Sequence, residues 1–271
     1  MRKSWLGVCI AAVSLICGAT NAYAGQWIQE GSEWKYQRAM GDFIHHRSFS
    51  SSGSLGFIVL DDSGYSHPFY IDGNGDGIAE SYVFDDNGYM VRNVTSGYVR
   101  VNSEGFCVDS DGKVYTKKVP QGVIDPTIGR GLIKQEIINL LLKDTGYLAQ
   151  NFNIDYDLET QEQSEHFVID RTTSFPTADI VNDIVYRIGG AYAGIGRNFF
   201  TKTDVTYVDF IAAFGVPVST NIQRSWDWLG NYYFDHYYEY IWILQDQPQV
   251  KLTVVQDINS SKFYTITLEA E

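Results

Sequence analysis

The chain has 271 residues, with 33 Asp and Glu against 20 Lys and Arg, and a formal charge of −13 at neutral pH. Such a chain lacks the Lys/Arg-rich face that phosphate backbones and other polyanions require, which excludes nucleic acid as a partner. At 44% hydrophobic and 20% charged it is a folding sequence, long enough for one large domain or two small ones, and its 15% aromatic content is more than core filling asks for.

Arg2 and Lys3, the largely apolar Trp5–Ile16 and Ala22-Tyr23-Ala24 read as a charged region, an apolar region and a small-x-small cleavage site. Residues 1–24 are therefore expected to be a secretory signal. The apolar stretch is shorter than the ~20 residues of a membrane span, and no transmembrane segment is expected downstream. A lipoprotein reading would use Cys17, but Ile16 precedes it where a small residue is wanted. Cys9 and Cys17 leave with the signal, so Cys107 remains alone and no internal disulfide forms. Without an evident His partner it reads as a small buried apolar residue.

From Gly25 to about Lys118 the chain alternates short strands and turns. Strands are predicted at Trp34-Lys35-Tyr36, Phe57–Leu60, Phe69-Tyr70-Ile71, Ser81–Phe84 and Gly97–Val101. Asp62-Ser63-Gly64, Asp86-Asn87-Gly88, Ser103-Glu104-Gly105 and Ser110-Asp111-Gly112 supply the turns, because Gly and Asn accept positive φ. The hairpins echo one another. Phe84–Met90, Val101–Phe106, Val108–Val114 and Val59–Tyr65 each read as strand, acidic or polar turn, Gly, then aromatic or aliphatic. One such hairpin cannot bury its own apolar face, so the units must stack or lean on something else.

Trp27, the Gly31-x-x-Trp34-x-Tyr36 stretch, the Tyr70–Glu80 run with Asp72-Gly73-Asn74-Gly75-Asp76-Gly77, and Phe84-Asp85-x-Asn87-Gly88-Tyr89-Met90 carry a family signature. Together with Asn93–Gly105 they resemble the cell-wall-binding (choline-binding-type) repeats of Gram-positive bacteria, over residues 26–118. The resemblance implies a short, solenoid-like β-hairpin repeat whose aromatics hold a wall polymer, either the choline of teichoic acid or glycan. A quaternary ammonium is held by cation–π attraction, and a sugar stacks its apolar face on a ring. The candidate ligand-binding residues are Trp27, Trp34, Tyr36, Tyr70, Tyr82, Phe84 and Tyr89. The competing expectation for each ring is that it fills the thin hairpin core.

Asp72-x-Asn74-x-Asp76-Gly77-x-x-Glu80 places oxygens where a hard cation would want them. Calcium could be held by Asp72, Asn74, Asp76, the Ile78 carbonyl and Glu80. The twelfth position is Val83, so the loop is not an EF-hand. A plain hairpin turn is the other reading.

Pro120–Pro126 reads as part of a linker over 119–126. Beyond it an α+β domain of helices followed by an antiparallel sheet is expected over 127–271. Helical spacing of Leu132, Ile133, Ile137, Ile138, Leu141 and Leu142 predicts a helix from Gly129 to about Lys143. Residues 144–170 hold a strand and an acidic loop, then Phe167-Val168-Ile169. A second helix is predicted from Pro176, with Ile180, Ile184, Val185 and Ile188 on one face and an end at Gly189-Gly190. A third is predicted from Asp204 to Phe214. Aromatic strands follow at Trp226–Phe234, Tyr237–Leu244, Val250–Val255 and Phe263–Leu268. The Thr206–Pro217 element with these strands faintly resembles small β-lactamase-inhibitor-like or outer-membrane-assembly lipoprotein-like modules, which are binding folds. The run Trp226–Trp242 is either one core face of the sheet or an aromatic patch for a glycan, peptide or protein.

The chain has no HExxH, GxSxG or GxxxxGK[ST] motif, and Gly194-Ile195-Gly196 is too short for a dinucleotide fingerprint. The sharpest catalytic arrangement is Glu165 or Asp170 beside His166, a carboxylate/His pair for hydrolysing wall polymer. The expectation is a secreted, non-enzymatic cell-surface protein attached to wall polymer, with a C-terminal binding domain. A wall hydrolase with its site in 127–271 and a purely structural wall component are the alternatives.

Overall fold

The computed structural model describes residues 25–44, 69–85, 87–96, 99–151, 154–156, 166–169, 177–226 and 232–271. The predicted strand Phe57–Leu60, the turn at Asp62, the hairpin copy Val59–Tyr65 and the signal segment lie outside them. The described chain is mostly β-strand in small antiparallel sheets with few helices, and it forms no closed barrel. No described helix is long and apolar enough to cross a membrane.

The first half is made of short hairpins. β1 (Gln26–Glu30) pairs with β2 (Glu33–Gln37) around Gly31, which takes φ 64°. β3 (Phe69–Ile71), β4 (Ile78–Tyr82) and β8 (Thr116–Lys118) form a three-stranded sheet in the order β3-β4-β8. β5 (Val94–Ser96), β6 (Val99–Val101) and β7 (Cys107–Val108) form another. The strand predicted at Ser81–Phe84 starts earlier and ends at Tyr82, with Phe84 bridging Met90 beyond it.

The second half is built on an eight-stranded antiparallel sheet. Its strands are β9 (Ile154–Tyr156), β10 (His166–Ile169), β11 (Thr177–Val181), β12 (Ile184–Ala191), β13 (Ser219–Trp226), β14 (Tyr232–Asp246), β15 (Gln249–Asp257) and β16 (Phe263–Ala270). The spatial order β13-β14-β15-β16-β12-β11-β10-β9 joins two meanders through the β12–β16 pair. Among the described residues four short helices accompany it: α1 (Gln135–Ile138), α2 (Thr145–Asn151), α3 (Tyr192–Phe199) and α4 (Tyr207–Phe214). Val250, Leu252 and Val254 alternate inward along β15, as Ile266, Leu268 and Ala270 do along β16. The period of two directs one sheet face into the core. Phe210 of α4 stacks on Trp242 at 5.5 Å and meets Phe263 edge-on at 5.3 Å, which seats the helix on that face.

Two predicted helices are corrected. Residues 177–191 form the β11–β12 hairpin. Ile and Val favour extended backbone, and the turn pair Asn182-Asp183 sits at φ 48° and 64°, the geometry of a tight hairpin turn. The apolar spacing fitted a helix, but alternation through that turn fits a strand pair. Within 129–143 only α1 is helical. Arg130, Gly131 and Leu142 take φ 47°, 74° and 62°, which breaks the helix on both sides. Ile137, Ile138, Leu140 and Leu141 are all buried, so this segment packs on more than one side. The third predicted helix is α4, begun by Thr206, whose N–H and hydroxyl both donate to the Asp209 carboxylate at 2.7 and 2.8 Å. Lys202 and these bonds hold that carboxyl down to about 2. Gly215 at φ 78° ends the helix.

The Asn182-Asp183 turn joins the two halves. Asn182 donates its N–H to the Tyr70 carbonyl at 2.7 Å, and its Oδ1 accepts the Asp72 N–H at 3.0 Å. Asp183 is buried and accepts the Ala39 N–H and the Thr145 hydroxyl, the latter at 2.7 Å. Around the turn Ala79 and Val119 pack with Val181, Ile184 and Tyr186 in one apolar cluster. Burial pushes the Asp183 carboxyl up to about 6, against the lowering pull of its hydrogen bonds and of Arg38.

A raised folded-state value means that the folded chain holds a proton which the unfolded chain has lost between about pH 4 and pH 6. Stability linked to Asp183 is therefore fully present below that window and lost as pH rises through it. Asp183→Asn keeps the shape and the tolerance for positive φ but does not ionise. The variant's stability relative to the wild type is expected to rise by up to about 3 kcal/mol from pH 4 to pH 7, at 1.36 kcal/mol per unit. Urea unfolding across that range measures this, and a difference that does not change with pH would contradict it.

Candidate functional site

Three turns of the first half are the same structure repeated. Asp85, Asn102 and Asp109 each open one. Each donates its N–H to the carbonyl four residues on, at 2.8, 3.0 and 2.9 Å. The third residue on is Gly88, Gly105 or Gly112, at φ 81°, 96° and 82°, and its N–H returns to the opening residue's carbonyl. The opening side chain's Oδ1 accepts two backbone N–H groups, from Asn87 and Tyr89, Glu104 and Phe106, or Asp111 and Lys113, all within 2.8–3.0 Å. L-residues with a Cβ resist this positive φ, hence the glycine in each copy. The residues flanking each turn pair across it: Phe84 with Met90, Val101 with Cys107, Val108 with Val114. Cys107 thus occupies the same inward position as Met90. It is fully buried, and burial pushes its thiol up to about 12, which makes it inert.

The aromatic residues meet in one cluster on this scaffold. Trp27 lies 5.3 Å from Tyr36, 4.9 Å from Tyr82 and 5.9 Å from Phe84. Tyr36, Tyr82 and Phe84 are buried with Phe69, Ile71 and Met90, so these three candidate ligand residues form hairpin core. Trp27 and Trp34 stand half-buried at the rim. They share a face of the β1–β2 hairpin, where Trp27 pairs with Tyr36 and Gln29 with Trp34. Gly73 runs so close to Trp27 that a Cβ there would lie 3.3 Å from Nε1, which brings the Asp72 loop against the indole.

Tyr89 and Tyr70 sit beneath cations of the chain itself. Lys35 Nζ is 4.2 Å from the Tyr89 ring centroid, 5.5 Å from that of Phe43 and 3.2 Å from Glu30 Oε2. The Tyr89 hydroxyl donates to the same Glu30 oxygen at 2.9 Å. These two bonds hold the Glu30 carboxyl below its ordinary value. Lys117 Nζ lies 3.6 Å from the Tyr186 ring and 5.7 Å from that of Tyr70. An ammonium over each ring is the arrangement a bound quaternary amine would need.

The Asp72 loop is closed by its own backbone. Asp72 Oδ1 accepts the Gly75 and Asp76 N–H groups, and Oδ2 accepts that of Gly77 at 2.8 Å. Asn74 Oδ1 accepts the Asp76 N–H, and Asp76 Oδ1 accepts that of Ile78. Burial, with the Asp76 and Asp72 carboxylates nearby, raises the Glu80 carboxyl above its ordinary value. No group of three or more His, Cys, Asp or Glu among the described residues could hold a metal ion.

In the second half Tyr240 and Trp242 are buried beneath α4, and Tyr237 and Tyr238 are half-buried, so part of the aromatic run is core. Glu165 and Asp170 lie outside the described residues, and His166 is paired in register with Asp179. The lysines over the rings were not expected from sequence. Lys35 shares β2 with Trp34 and Tyr36, and the ring it covers, Tyr89, comes from another hairpin, which no local spacing signals.

Comparison with protein-family models, with curated proteins and with solved structures finds no match to this chain.

Asn102→Ala removes the acceptor of two N–H groups and is expected to cost about 1–2 kcal/mol in urea unfolding. Asn102→Asp keeps that oxygen and should cost less than half as much; equal losses would show that the side chain does not hold the turn. The Cys107 thiol is expected to stay unreactive toward a thiol reagent until the chain unfolds.

Proposed function

We propose that the chain is a secreted, non-enzymatic cell-surface protein attached to wall polymer through residues 25–118. In this reading those residues are a short, solenoid-like hairpin-repeat domain, 119–126 a linker, and 127–271 an α+β domain that binds a protein or peptide at the cell surface. The observation that carries it is the turn at Asp85, Asn102 and Asp109, repeated bond for bond beside the half-buried Trp27 and Trp34. A rigid repeat with the half-buried Trp34 at its rim suits the stacking of a sugar ring, and the polar Asp72 loop, held beside it by Trp27, suits its hydroxyls.

Between the two wall ligands, glycan is favoured over choline. The rings that would cage a quaternary ammonium, Tyr89 and Tyr70, already have Lys35 and Lys117 above them. A soluble ammonium would have to displace a tethered lysine that also pairs with Glu30. Calcium at Asp72, Asn74, Asp76, the Ile78 carbonyl and Glu80 is a second reading of that loop. In the structure the Asp72, Asn74 and Asp76 oxygens close the turn by accepting backbone N–H groups, so a cation there would have to displace those bonds.

The purified chain is expected to sediment with isolated Gram-positive cell walls, to be released by soluble wall oligosaccharide, and to be unmoved by choline. Trp34→Ala should weaken retention about two- to tenfold, as loss of about 0.5–1.5 kcal/mol of ring stacking would, with an unchanged circular dichroism spectrum. Absence of retention would end the anchoring proposal, and release by choline would move the ligand site to the lysine-filled rings. Loss of retention with a chelator would favour the cation reading, and release of wall fragments by the chain alone would favour a hydrolase.

A further inference from the structure

Four of the seven large apolar side chains exposed among the described residues fall within a short span: Val208, Val216, Val218 and Ile222 are 72%, 80%, 66% and 63% exposed. Val218 and Ile222 lie at one margin of the eight-stranded sheet, just before β13 and on it, with Val216 two residues upstream. β13 is an edge strand, and among the described residues it pairs only with β14. Thr220 stands opposite Tyr240 and Ile222 opposite Tyr238, and directly opposed residues share a sheet face. Tyr240 and Trp242 on that face are buried beneath α4, through Tyr207 at 4.5 Å and Phe210 at 5.5 Å. Val218 and Ile222 alternate with Thr220 in the same phase, so they point to the helix side of the sheet yet lie beyond the helix.

An edge strand offers a row of unsatisfied N–H and C=O groups, and an apolar flank makes it adhesive. At these exposures Val216, Val218 and Ile222 leave roughly 300 Å² of surface in water, the size of the largest apolar patch on a typical monomer, which is often functional. Two such patches, with the backbone and flanking side chains of two paired strands, approach about 1,200 Å², where stable interfaces begin.

We propose that a second copy of the chain covers this margin, pairing β13 antiparallel with its own symmetry mate about a two-fold axis through Ile222. Charge selects this occupant. The chain carries −13, so two copies repel unless they meet where acids are missing. Residues 215–226 hold a single charge, Arg224, and no acid. The opposite sheet edge, β9, contains Asp155 and is followed in sequence by Asp157, Glu159, Glu162 and Glu165, which bars it to a second copy. The register is self-complementary. About Ile222 it sets Ile222 against its mate, Asn221 against Gln223, Thr220 against Arg224 and Ser219 against Ser225, with no like charges opposed. The eight-stranded sheet then runs continuously through both copies.

Sedimentation equilibrium of the full chain over a range of micromolar concentrations tests this. The wild type is expected to form a reversible dimer. Ile222→Glu puts two carboxylates face to face on the axis and should raise the dimer dissociation constant at least about a hundredfold, as loss of a central interface contact from both copies does. Ile222 is exposed, so the circular dichroism spectrum and the urea midpoint of the variant should match the wild type. Val123→Glu, at another exposed apolar residue, should leave the dimer intact. A wild type that stays monomeric overturns the proposal. So does a dimer that survives Ile222→Glu, or one that Val123→Glu disrupts equally.

Discussion

A hairpin of three-residue strands has too little apolar area to hold itself together in water, and that constraint shapes the first half of this molecule. The turns close locally, each tied by one side-chain oxygen and one glycine. The residues flanking them then need interiors. Phe84 and Met90 pack with Tyr36, Phe69 and Tyr82 from neighbouring hairpins, and Val101 and Cys107 pack with Val83, Val91 and Tyr115. A third interior is shared with the second half, where the Asn182-Asp183 turn reaches across to β3 and to Ala39 while Ala79 and Val119 pack on Val181, Ile184 and Tyr186. The buried Asp183 carboxyl is the costly part of this joint. It is tolerated because an N–H from one half and a hydroxyl from the other both end on it.

This economy bears on ligand binding. A repeat that spends most of its rings on its own core has few left for a partner. Tyr36, Tyr82 and Phe84 are interior, Trp27 packs against all three, Tyr70 and Tyr89 lie under lysines, and the half-buried Trp34 is the candidate ring left at the rim. A glycan needs only such a stacking face with polar groups beside it, whereas an ammonium needs an empty cage.

The repeating hairpins were legible in the sequence because their signal is local. An Asp or Asn, two residues on a Glu, Asn or Asp, then Gly and an apolar flank specify a turn without reference to anything distant. The strands β15 and β16 and the helix α4 were legible for the same reason, through alternation in two cases and the Thr206/Asp209 pair with Gly215 in the other. The β11–β12 hairpin was misread because Ile180, Ile184, Val185 and Ile188 satisfy a helical spacing as well as a strand pair. The Asn182-Asp183 turn that decides between them carries no glycine. The helix expected over 129–143 failed because its leucines and isoleucines are buried on several sides by the sheet, a fact of packing and not of local pattern. Which rings would be interior was equally hidden, since Trp27 and Phe84 come together only when separate hairpins pack.

The account rests on the two halves forming one structure through the Asn182-Asp183 joint. Pulsed hydrogen exchange read by mass spectrometry across a urea series tests this most directly, on the wild type and on Asn182→Ala. The account predicts that peptides from β1–β8 and from β11–β16 lose protection at the same urea concentration, and that Asn182→Ala lowers both midpoints together. Hairpin peptides that open while β11–β16 remain protected, with a midpoint unmoved by Asn182→Ala, would contradict it.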